Sequence, residues 1–217
     1  MSDQPKRESY VGQAWLVILL GLVYGGALAG VETTLGPRIA ENRKKETYDV
    51  IPVLVGDVDK AKTVELMVEG KSGEEVRVYK AVAADGTHKG WVLPAGGQGF
   101  NDRIELLIGL DAKLSTITGL YVLDQKETPG LGDYVTSERF RGQFSGKPTD
   151  RPLVAVKPDA KATHEIRAIS GATISSESVT DIVNGAIADL REPILRQALP
   201  GAEPSTPARP VPEDNVQ

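Results

Sequence analysis

The chain has 217 residues, a net charge of −5, no cysteine and two histidines, His88 and His164. The acidic balance argues against a nucleic-acid partner, because such proteins usually carry a basic surface. Without cysteine, the chain can hold no disulfide, thiolate-bound zinc, iron–sulfur cluster or cysteine nucleophile. Two histidines are too few for most other metal sites, so we expect no metal centre and expect both histidines to face solvent.

An uncharged segment near the N-terminus predicts a membrane-spanning helix. After a polar leader at residues 1–10, residues 11–31 carry no charge and only one strongly polar side chain, Gln13. A helix of that length extends for roughly 30 Å, which matches the hydrocarbon core of a bilayer. A cleaved signal peptide is the alternative, with Ala27-Leu28-Ala29 as its candidate site, but its apolar region is usually shorter. We therefore favour the anchor.

The charges that flank the span bear on its orientation. Residues 32–47 predict a juxtamembrane linker or helix that is broken at Gly36-Pro37. Only Lys6 and Arg7 precede the span, whereas four basic side chains follow it closely: Arg38, Arg43, Lys44 and Lys45. Taken alone, the positive-inside rule would keep the large domain in the cytoplasm.

Residues 48–195 predict one domain whose first part is rich in strands. Apolar side chains alternate at period two in residues 76–82, which is typical of a strand. Residues 104–110 and 114–123 are two further apolar runs with a short turn between them, so we expect an antiparallel hairpin. A short apolar run at residues 153–156 predicts another strand.

The periodicity changes to that of a helix from Ser176 onward. Apolar side chains at helical spacing form one stripe of an amphipathic helix: Val179, Ile182, Val183, Ala186, Ile187 and Leu190. We expect Ser175 or Ser176 to cap this helix and Pro193 to end it. Residues 196–217 contain prolines among acidic and small side chains, which predicts a disordered tail.

Two segments could carry chemistry, and the first is Glu127-Thr128-Pro129-Gly130-Leu131-Gly132, the ETPGLG loop. Its proline fixes φ, and its glycines permit close approaches that other residues forbid. The loop is either a tight surface turn or a backbone platform against a flat ligand. In the second case, Glu127 and Thr128 would supply hydrogen bonds.

The second segment is Ser170-Gly171-Ala172-Thr173-Ile174-Ser175-Ser176, immediately before the predicted helix. Small side chains admit a bulky group, and the start of a helix offers free N–H donors with a positive dipole end. The segment therefore suits a phosphate. A Ser/Gly-rich loop that merely ends in a helix cap is the alternative.

The two segments together resemble the FMN-binding domain of two related redox-pump proteins. These are the G subunit of the Rnf electron-transport complex and the C subunit of the sodium-translocating NADH:quinone reductase. The resemblance extends to the N-terminal span and to residues 96–100 running into residues 104–109, so that it covers most of residues 10–190. The chain length and the hairpin that leads directly into the ETPGLG loop are more similar to the Rnf protein.

This resemblance implies a covalent flavin. In the family, the threonine of the S-G-A-T motif, here Thr173, carries FMN through a phosphoester bond made by a dedicated flavin transferase. It also implies the other cofactor contacts, which are Ser170, Gly171, Ala172, Ser175, Glu127, Thr128, Leu131 and Gly132. The fold class that follows is α+β, an N-terminal transmembrane helix followed by one FMN-binding domain with a twisted antiparallel sheet and packed helices, with the flavin in a cleft between the two motifs.

Two positions depart from the family pattern. The family usually has an acidic residue three positions before the serine of its motif, and this chain has Arg167, which could pair with the flavin phosphate or weaken recognition by the transferase. The family often has a histidine two positions before the glutamate of ETPGLG, and this chain has Gln125. Gln125 does not titrate near neutral pH, so a proton role for that histidine does not carry over.

The function that the resemblance implies is electron relay inside an ion-translocating complex, with no catalytic acid, base or nucleophile on this chain. Its partners would be other membrane and iron–sulfur subunits, the transferase and the lipid bilayer. The family's flavin domain faces the periplasm or cell exterior, and we favour that orientation, in a bacterial inner membrane, over the charge count. A stand-alone flavoprotein reductase and a cofactor-free, anchored binding module are the alternatives.

Overall fold

The computed structural model describes residues 10–157 and 160–198 of the chain. The chain divides into two compact units, Met1–Glu46 and Thr47–Gln217. The predicted polar leader, apart from Tyr10, and the predicted tail beyond Ala198 lie outside the described residues.

Helix α1, Tyr10–Val55, forms the described part of the first unit and continues into the second. Within the described residues, it is the one helix long and apolar enough to cross a membrane; its most apolar window has a mean hydropathy of 2.1 and is fully exposed. The expected break at Gly36-Pro37 is absent, because α1 is continuous through both residues. A proline removes one hydrogen bond of the helix ladder, and a helix with full turns on both sides can tolerate that loss.

The second unit is built on a five-stranded antiparallel sheet in which each strand pairs with the next along the chain. The strands are β1 (Val64–Glu69), β2 (Glu75–Val82), β3 (His88–Gln98), β4 (Arg103–Asp111) and β5 (Ile117–Asp124). The predicted strand at residues 76–82 and the predicted hairpin are therefore confirmed as β2 and as the β4–β5 pair. The antiparallel sheet that the α+β prediction required is present.

The turn between β4 and β5 is longer than expected, since β4 ends at Asp111 and β5 begins at Ile117, and the Asp111 side chain organises it. The Asp111 carboxylate accepts hydrogen bonds from the N–H and the hydroxyl of Ser115, both at 2.6 Å, and from the N–H of Thr116 at 3.1 Å. Leu114 adopts a positive φ of 55° inside this turn. Partial burial opposes the charged form, but the hydrogen bonds outweigh it and lower the pKa of the Asp111 carboxyl.

Shorter elements connect the sheet to the last helix. They are two 3₁₀ turns at Gly132–Thr136 and Gly142–Phe144, helix α2 (Glu138–Arg141), and the strands β6 (Val154–Val156) and β7 (Glu165–Arg167). The apolar run at residues 153–156 is thus a strand, as predicted. Its parallel pairing with β7 was not anticipated, because β7 is only three residues long and has no alternation to detect.

Helix α3, Thr173–Ala198, packs against the sheet through the predicted stripe, in which Val179, Val183, Ile187 and Leu190 are buried. The prediction that Pro193 ends the helix is wrong, since α3 continues to Ala198. Proline cannot donate to the carbonyl four residues earlier, which belongs to Asp189. The N–H of Lys71 donates to that carbonyl at 3.2 Å instead, and the fully buried Ile194 holds the following turn against the core.

The sheet has an apolar cluster on each side. Helix α3 covers the larger cluster, and the last turns of α1 cover the smaller one through Val50, Ile51 and Leu54, which pack on Tyr79, Ala81, Val92 and Leu107. Gly109 and Gly119 lie opposite each other on β4 and β5 beneath Leu54. A Cβ on Gly109 would lie 2.9 Å from Leu54, so these glycines allow the helix to approach the sheet closely.

We expect Leu54→Ala to lower the free energy of unfolding by about 2–5 kcal/mol, because it opens a cavity over the two glycines. The neighbouring Val53→Ala is the matched control, since Val53 is 75% exposed on the same helix and should change stability little. Urea unfolding of the full chain in detergent, followed through the fluorescence of the buried Trp91, measures both values. Equal losses for the two variants would contradict the packing described above.

Candidate functional site

The ETPGLG loop folds as a tight turn. The N–H of Leu131 donates to the carbonyl of Thr128 at 3.1 Å, and the N–H of Asp133 approaches the same carbonyl at 3.4 Å. Pro129 occupies the second position of this turn, and Gly130 takes a φ of +76° at the third. That combination is typical of a type II turn, in which the third position requires a positive φ.

The segment before α3 is also a turn, and it places Thr173 at the first position of the helix. The N–H of Ala172 donates to the carbonyl of Ile169 at 3.0 Å, and Gly171 adopts a φ of +83° between them. The Ser176 hydroxyl locks this turn from inside: it donates to the carbonyl of Ala172 at 2.8 Å and accepts the N–H of Ile169 at 3.0 Å. The turn therefore leads directly into α3.

The prediction that Ser175 or Ser176 caps the helix is wrong, because α3 already begins at Thr173. Both serines lie inside the first turns and are buried, at 2% and 0% exposure. Their hydroxyls have other partners: Ser176 bonds locally to the preceding turn, and Ser175 bonds to the distant carboxyl of Glu127. Sequence alone could not distinguish these uses, because a serine hydroxyl suits a helix cap equally well.

The structure brings the two predicted motifs into contact. The Ser175 hydroxyl donates to Glu127 Oε2 at 2.5 Å, across 48 positions of sequence, and both side chains are buried. Gly132 lies against the same pair, since a Cβ there would be 2.8 Å from both Glu127 Cβ and Ser175 Oγ. At the rim, a Cβ on Gly171 would lie 3.0 Å from the Leu131 side chain.

The nine predicted site residues divide into an inner and an outer group. Glu127, Gly132, Ala172 and Ser175 are buried, whereas the outer group is accessible, with Thr173 half-buried and the others exposed: Thr128, Leu131, Ser170 and Gly171. Large apolar side chains near these segments in the chain are exposed as well: Phe100, Tyr134 and Ile174. The accessible group presents hydroxyls, glycine backbone and apolar surface together.

Two residues of the site escaped the sequence analysis. The N–H of Asn101 donates to Glu127 Oε1 at 3.0 Å, and the Asn101 side-chain amide donates to the carbonyl of Lys126 at 2.6 Å. Gly99 lies against the same carboxyl, because a Cβ there would overlap Glu127 Oε1. The glycine-rich run at residues 96–99 was the available signal, but nothing in it showed which glycine faces the site.

A cavity of about 580 Å³ lies beside the ETPGLG loop, and its polar lining residues include Asn101, Gln125, Thr128 and Asp133. Within the described residues, Asp133 Oδ1 is a buried oxygen without a hydrogen-bond partner. A second, larger cavity of about 860 Å³ follows α3 past Gly97, Asp181 and Ile182 and contains none of the nine predicted residues.

The remaining candidates lie elsewhere. Trp91 is buried in the core at 2% exposure and contacts the His88 ring edge-on at 5.0 Å. His88 and His164 are both partly buried rather than solvent-facing, and burial lowers the pKa of the His88 imidazole. Arg167 lies on β7, where its backbone exchanges hydrogen bonds with the Gln143 side chain. Among the described residues, no cluster of three or more histidine or acidic side chains could hold a metal ion.

The accessible part of this site fits the phosphate end of a nucleotide cofactor. Thr173 begins a helix of 26 residues, and the first N–H groups of such a helix have no partner within it. These groups and the positive end of the helix dipole favour a phosphate there. The preceding Gly171 leaves space that a side chain would fill, and the Ser170 hydroxyl adds a donor at the same turn.

Comparison with known proteins finds relatives that share the segment containing both motifs. The family model of an FMN-binding domain matches residues 99–188. The G subunit of an ion-translocating oxidoreductase complex from Methanosarcina acetivorans is 35% identical over 68% of this chain and 74% of its own length. The G subunit of a proton-translocating ferredoxin:NAD(+) oxidoreductase complex from Clostridium ljungdahlii is 33% identical over 76% of this chain and 83% of its own length.

Solved structures agree with this result. The crystal structure of NqrC from Shewanella oneidensis superposes with a TM-score of 0.51 and 25% identity, over 57% of this chain and 61% of that chain. The C subunit of a Na(+)-translocating NADH-quinone reductase from Parabacteroides distasonis superposes with a TM-score of 0.56 over 70% of this chain and 93% of that chain; at 19% identity it shows the shared fold alone.

The contact between the motifs should be sensitive to one methyl group. We expect Gly132→Ala to lower the free energy of unfolding by about 1–3 kcal/mol, because its Cβ would overlap Glu127 and Ser175. Gly142→Ala is the matched control, since nothing lies within 4 Å of a Cβ at Gly142 and its φ is −61°. Denaturant unfolding of the two variants measures the difference, and equal stability would contradict the close packing at Gly132.

Proposed function

The chain belongs to the family formed by the G subunits of Rnf-type ion-translocating oxidoreductase complexes, and we propose that it carries one FMN on Thr173 and relays electrons within such a complex. The attachment would be a phosphoester between the Thr173 hydroxyl oxygen and the FMN phosphate, made by a flavin transferase from a flavin dinucleotide donor. The hydroxyl oxygen would lose its proton and bond to the phosphorus of the FMN half, while the pyrophosphate bond of the donor breaks and the nucleoside monophosphate leaves with the proton. The observation that carries this proposal is the position of Thr173, accessible at the first residue of α3 and beside the ETPGLG loop.

Each part of the site has a task in this proposal. The N–H groups of the first turn of α3 and the Ser170 hydroxyl would stabilise the phosphate, while Gly171 and Ala172 leave it room. The accessible Thr128 and Leu131 would bound the flavin from the ETPGLG loop. The buried Glu127, Gly132 and Ser175 would support this surface from below.

The proposed chemistry belongs to the cofactor, because bound FMN supplies reversible electron transfer. The residues of this chain would hold and orient the flavin so that electron donor and acceptor are both supplied by other subunits. The site needs no nucleophile, acid or base of its own for this role. A covalent link also keeps the flavin in place in every redox state, whatever the noncovalent affinity.

The partners in this proposal follow from the family. Relatives are named as subunits of ferredoxin:NAD(+) oxidoreductase complexes, so we propose membrane and iron–sulfur subunits as neighbours of this chain. We propose that α1 anchors the chain in the bacterial inner membrane, because its apolar window is fully exposed. We also propose that the flavin domain lies on the periplasmic or outer face.

Covalent attachment is tested at Thr173 itself. We expect Thr173→Ala, made together with the flavin transferase, to lose all flavin fluorescence from the denatured protein band, because the ester oxygen is gone. Thr163→Ala is the matched control, since it removes the same hydroxyl from an exposed loop position outside the site. Denaturing gel electrophoresis with in-gel fluorescence reports both variants. Fluorescence that survives Thr173→Ala would contradict attachment at Thr173.

The orientation is tested with reporters fused after Ala198, the last residue of α3, so that the buried Ile194 is kept. We expect an alkaline phosphatase fusion, which requires export, to be active and a cytoplasmic fluorescent-protein fusion at the same position to be dark. The preference set by the flanking lysines and arginines is statistical, and large domains translocate despite it. The opposite pattern would place the flavin domain in the cytoplasm.

A further inference from the structure

The buried carboxyl of Glu127 connects three segments that are far apart in sequence. Its Oε2 accepts the Ser175 hydroxyl at 2.5 Å, and its Oε1 accepts the N–H of Asn101 at 3.0 Å. The first bond reaches the first turn of α3, and the second reaches the turn between β3 and β4. Glu127 itself is 4% exposed, so each of its oxygens is used inside the protein.

Two glycines keep open the space that this carboxyl occupies. A Cβ on Gly99 would overlap Oε1, and a Cβ on Gly132 would lie 2.9 Å from Oε2. Either methyl group would collide with the carboxylate. The Gln125 side chain adds a further constraint, because its Oε1 accepts the N–H of Glu127 at 2.6 Å and fixes the backbone from which the carboxyl extends.

The Ser175–Glu127 bond also fixes the rotation of the helix that begins at Thr173. Successive residues of a helix are separated by about 100°, so Ser175 and Thr173 lie on nearly opposite faces. Holding Ser175 inward at 2% exposure therefore turns Thr173 outward, where it is half-buried and accessible. Attachment by an enzyme requires the reacting oxygen to be held closely in position.

We propose that Glu127 is a positioning residue, which acts through Ser175 to present the Thr173 hydroxyl for flavin attachment. The proposal rests on the proposed function, because it concerns the modification of Thr173. It assigns Glu127 and Ser175 one shared task, and it leaves direct contact with the cofactor to the accessible residues of the site.

The test measures the rate of FMN attachment by intact mass during incubation of full-length protein with the transferase and its flavin donor. We expect Glu127→Ala and Ser175→Ala each to slow attachment about tenfold or more, since each removes a hydrogen bond to a charged group. The double variant should be no slower than the slower single variant, because both act through one bond. Glu127→Gln keeps the length of the side chain: its oxygen can accept the N–H of Asn101 while its NH2 group donates to the Ser175 hydroxyl, so most of the rate should be recovered.

Thr149→Ala separates positioning from stability. Thr149 is buried, and its hydroxyl donates to the carbonyl of Leu114 at 2.6 Å, so its removal is a comparable loss of a buried hydrogen bond outside the site. We expect this variant to lower the unfolding midpoint without slowing attachment. If Glu127→Ala does not fold, the attachment rate of Glu127→Gln and that of Glu127→Asp, whose shorter side chain cannot reach Ser175, decide the matter: only Glu127→Asp should be slow.

Attachment rates in the Glu127 and Ser175 variants equal to that of Thr149→Ala would overturn the positioning role, as would losses that add in the double variant. Failure of the proposed function looks different. In that case the wild-type chain itself gains no flavin at Thr173, and no variant comparison is needed.

Discussion

The loop that follows β5 and the start of α3 are held together by a carboxyl group buried between them. Glu127 could not remain there without partners, because a buried carboxylate loses its hydration. Ser175 and the N–H of Asn101 replace that hydration, and Gly99 and Gly132 leave the space for it. Separating the carboxyl from these partners would leave it buried and unpaired. The loop and the helix that carry the outer site residues are therefore held in a fixed mutual position.

The sheet supplies the frame for this arrangement. It is covered on one face by α3 and on the other by the last turns of α1, so that residues 90–93 of β3 and 106–110 of β4 are buried on both sides. The β3–β4 turn and the end of β5 then reach the site from fixed positions. On both faces a glycine lets a helix side chain approach the sheet closely: Ile182 of α3 packs against Gly97, and Leu54 of α1 packs against Gly109.

Much of this framework could be predicted from the sequence. The alternation at residues 76–82 predicts strand β2 and the stripe from Val179 to Leu190 predicts the buried face of α3, and both elements form. The sequence did not show that Tyr79 and Ala81 bury the opposite face of β2 as well. The parallel β6–β7 pair could not be predicted, because three-residue strands carry no periodicity. The continuation of α3 through Pro193 depends on Lys71, a residue distant in sequence whose N–H pairs with the carbonyl that proline leaves free.

In the site, too, the features that depend on neighbouring residues could be predicted, and those that depend on residues distant in sequence could not. The turn at Pro129-Gly130 and the proximity of Thr173 to a helix start are local properties, and the sequence predicts both. The use of Ser175 is tertiary, since its hydroxyl is directed to Glu127, 48 positions away, whereas Ser176 bonds to the turn immediately before it. The sequence therefore predicted that Ser175 or Ser176 caps the helix, whereas in the structure both hydroxyls make buried contacts.

The central claim, a flavin ester at Thr173, is tested most directly by mass spectrometry of the native protein purified from its own membranes. Trypsin cuts after Arg167 and Arg191, which releases residues 168–191 as one peptide with Thr173 inside it. The account predicts that this peptide carries the mass of one FMN less one water, and that fragmentation assigns the addition to Thr173 rather than to Ser170, Ser175 or Ser176. An unmodified peptide, or flavin on another hydroxyl, would contradict it.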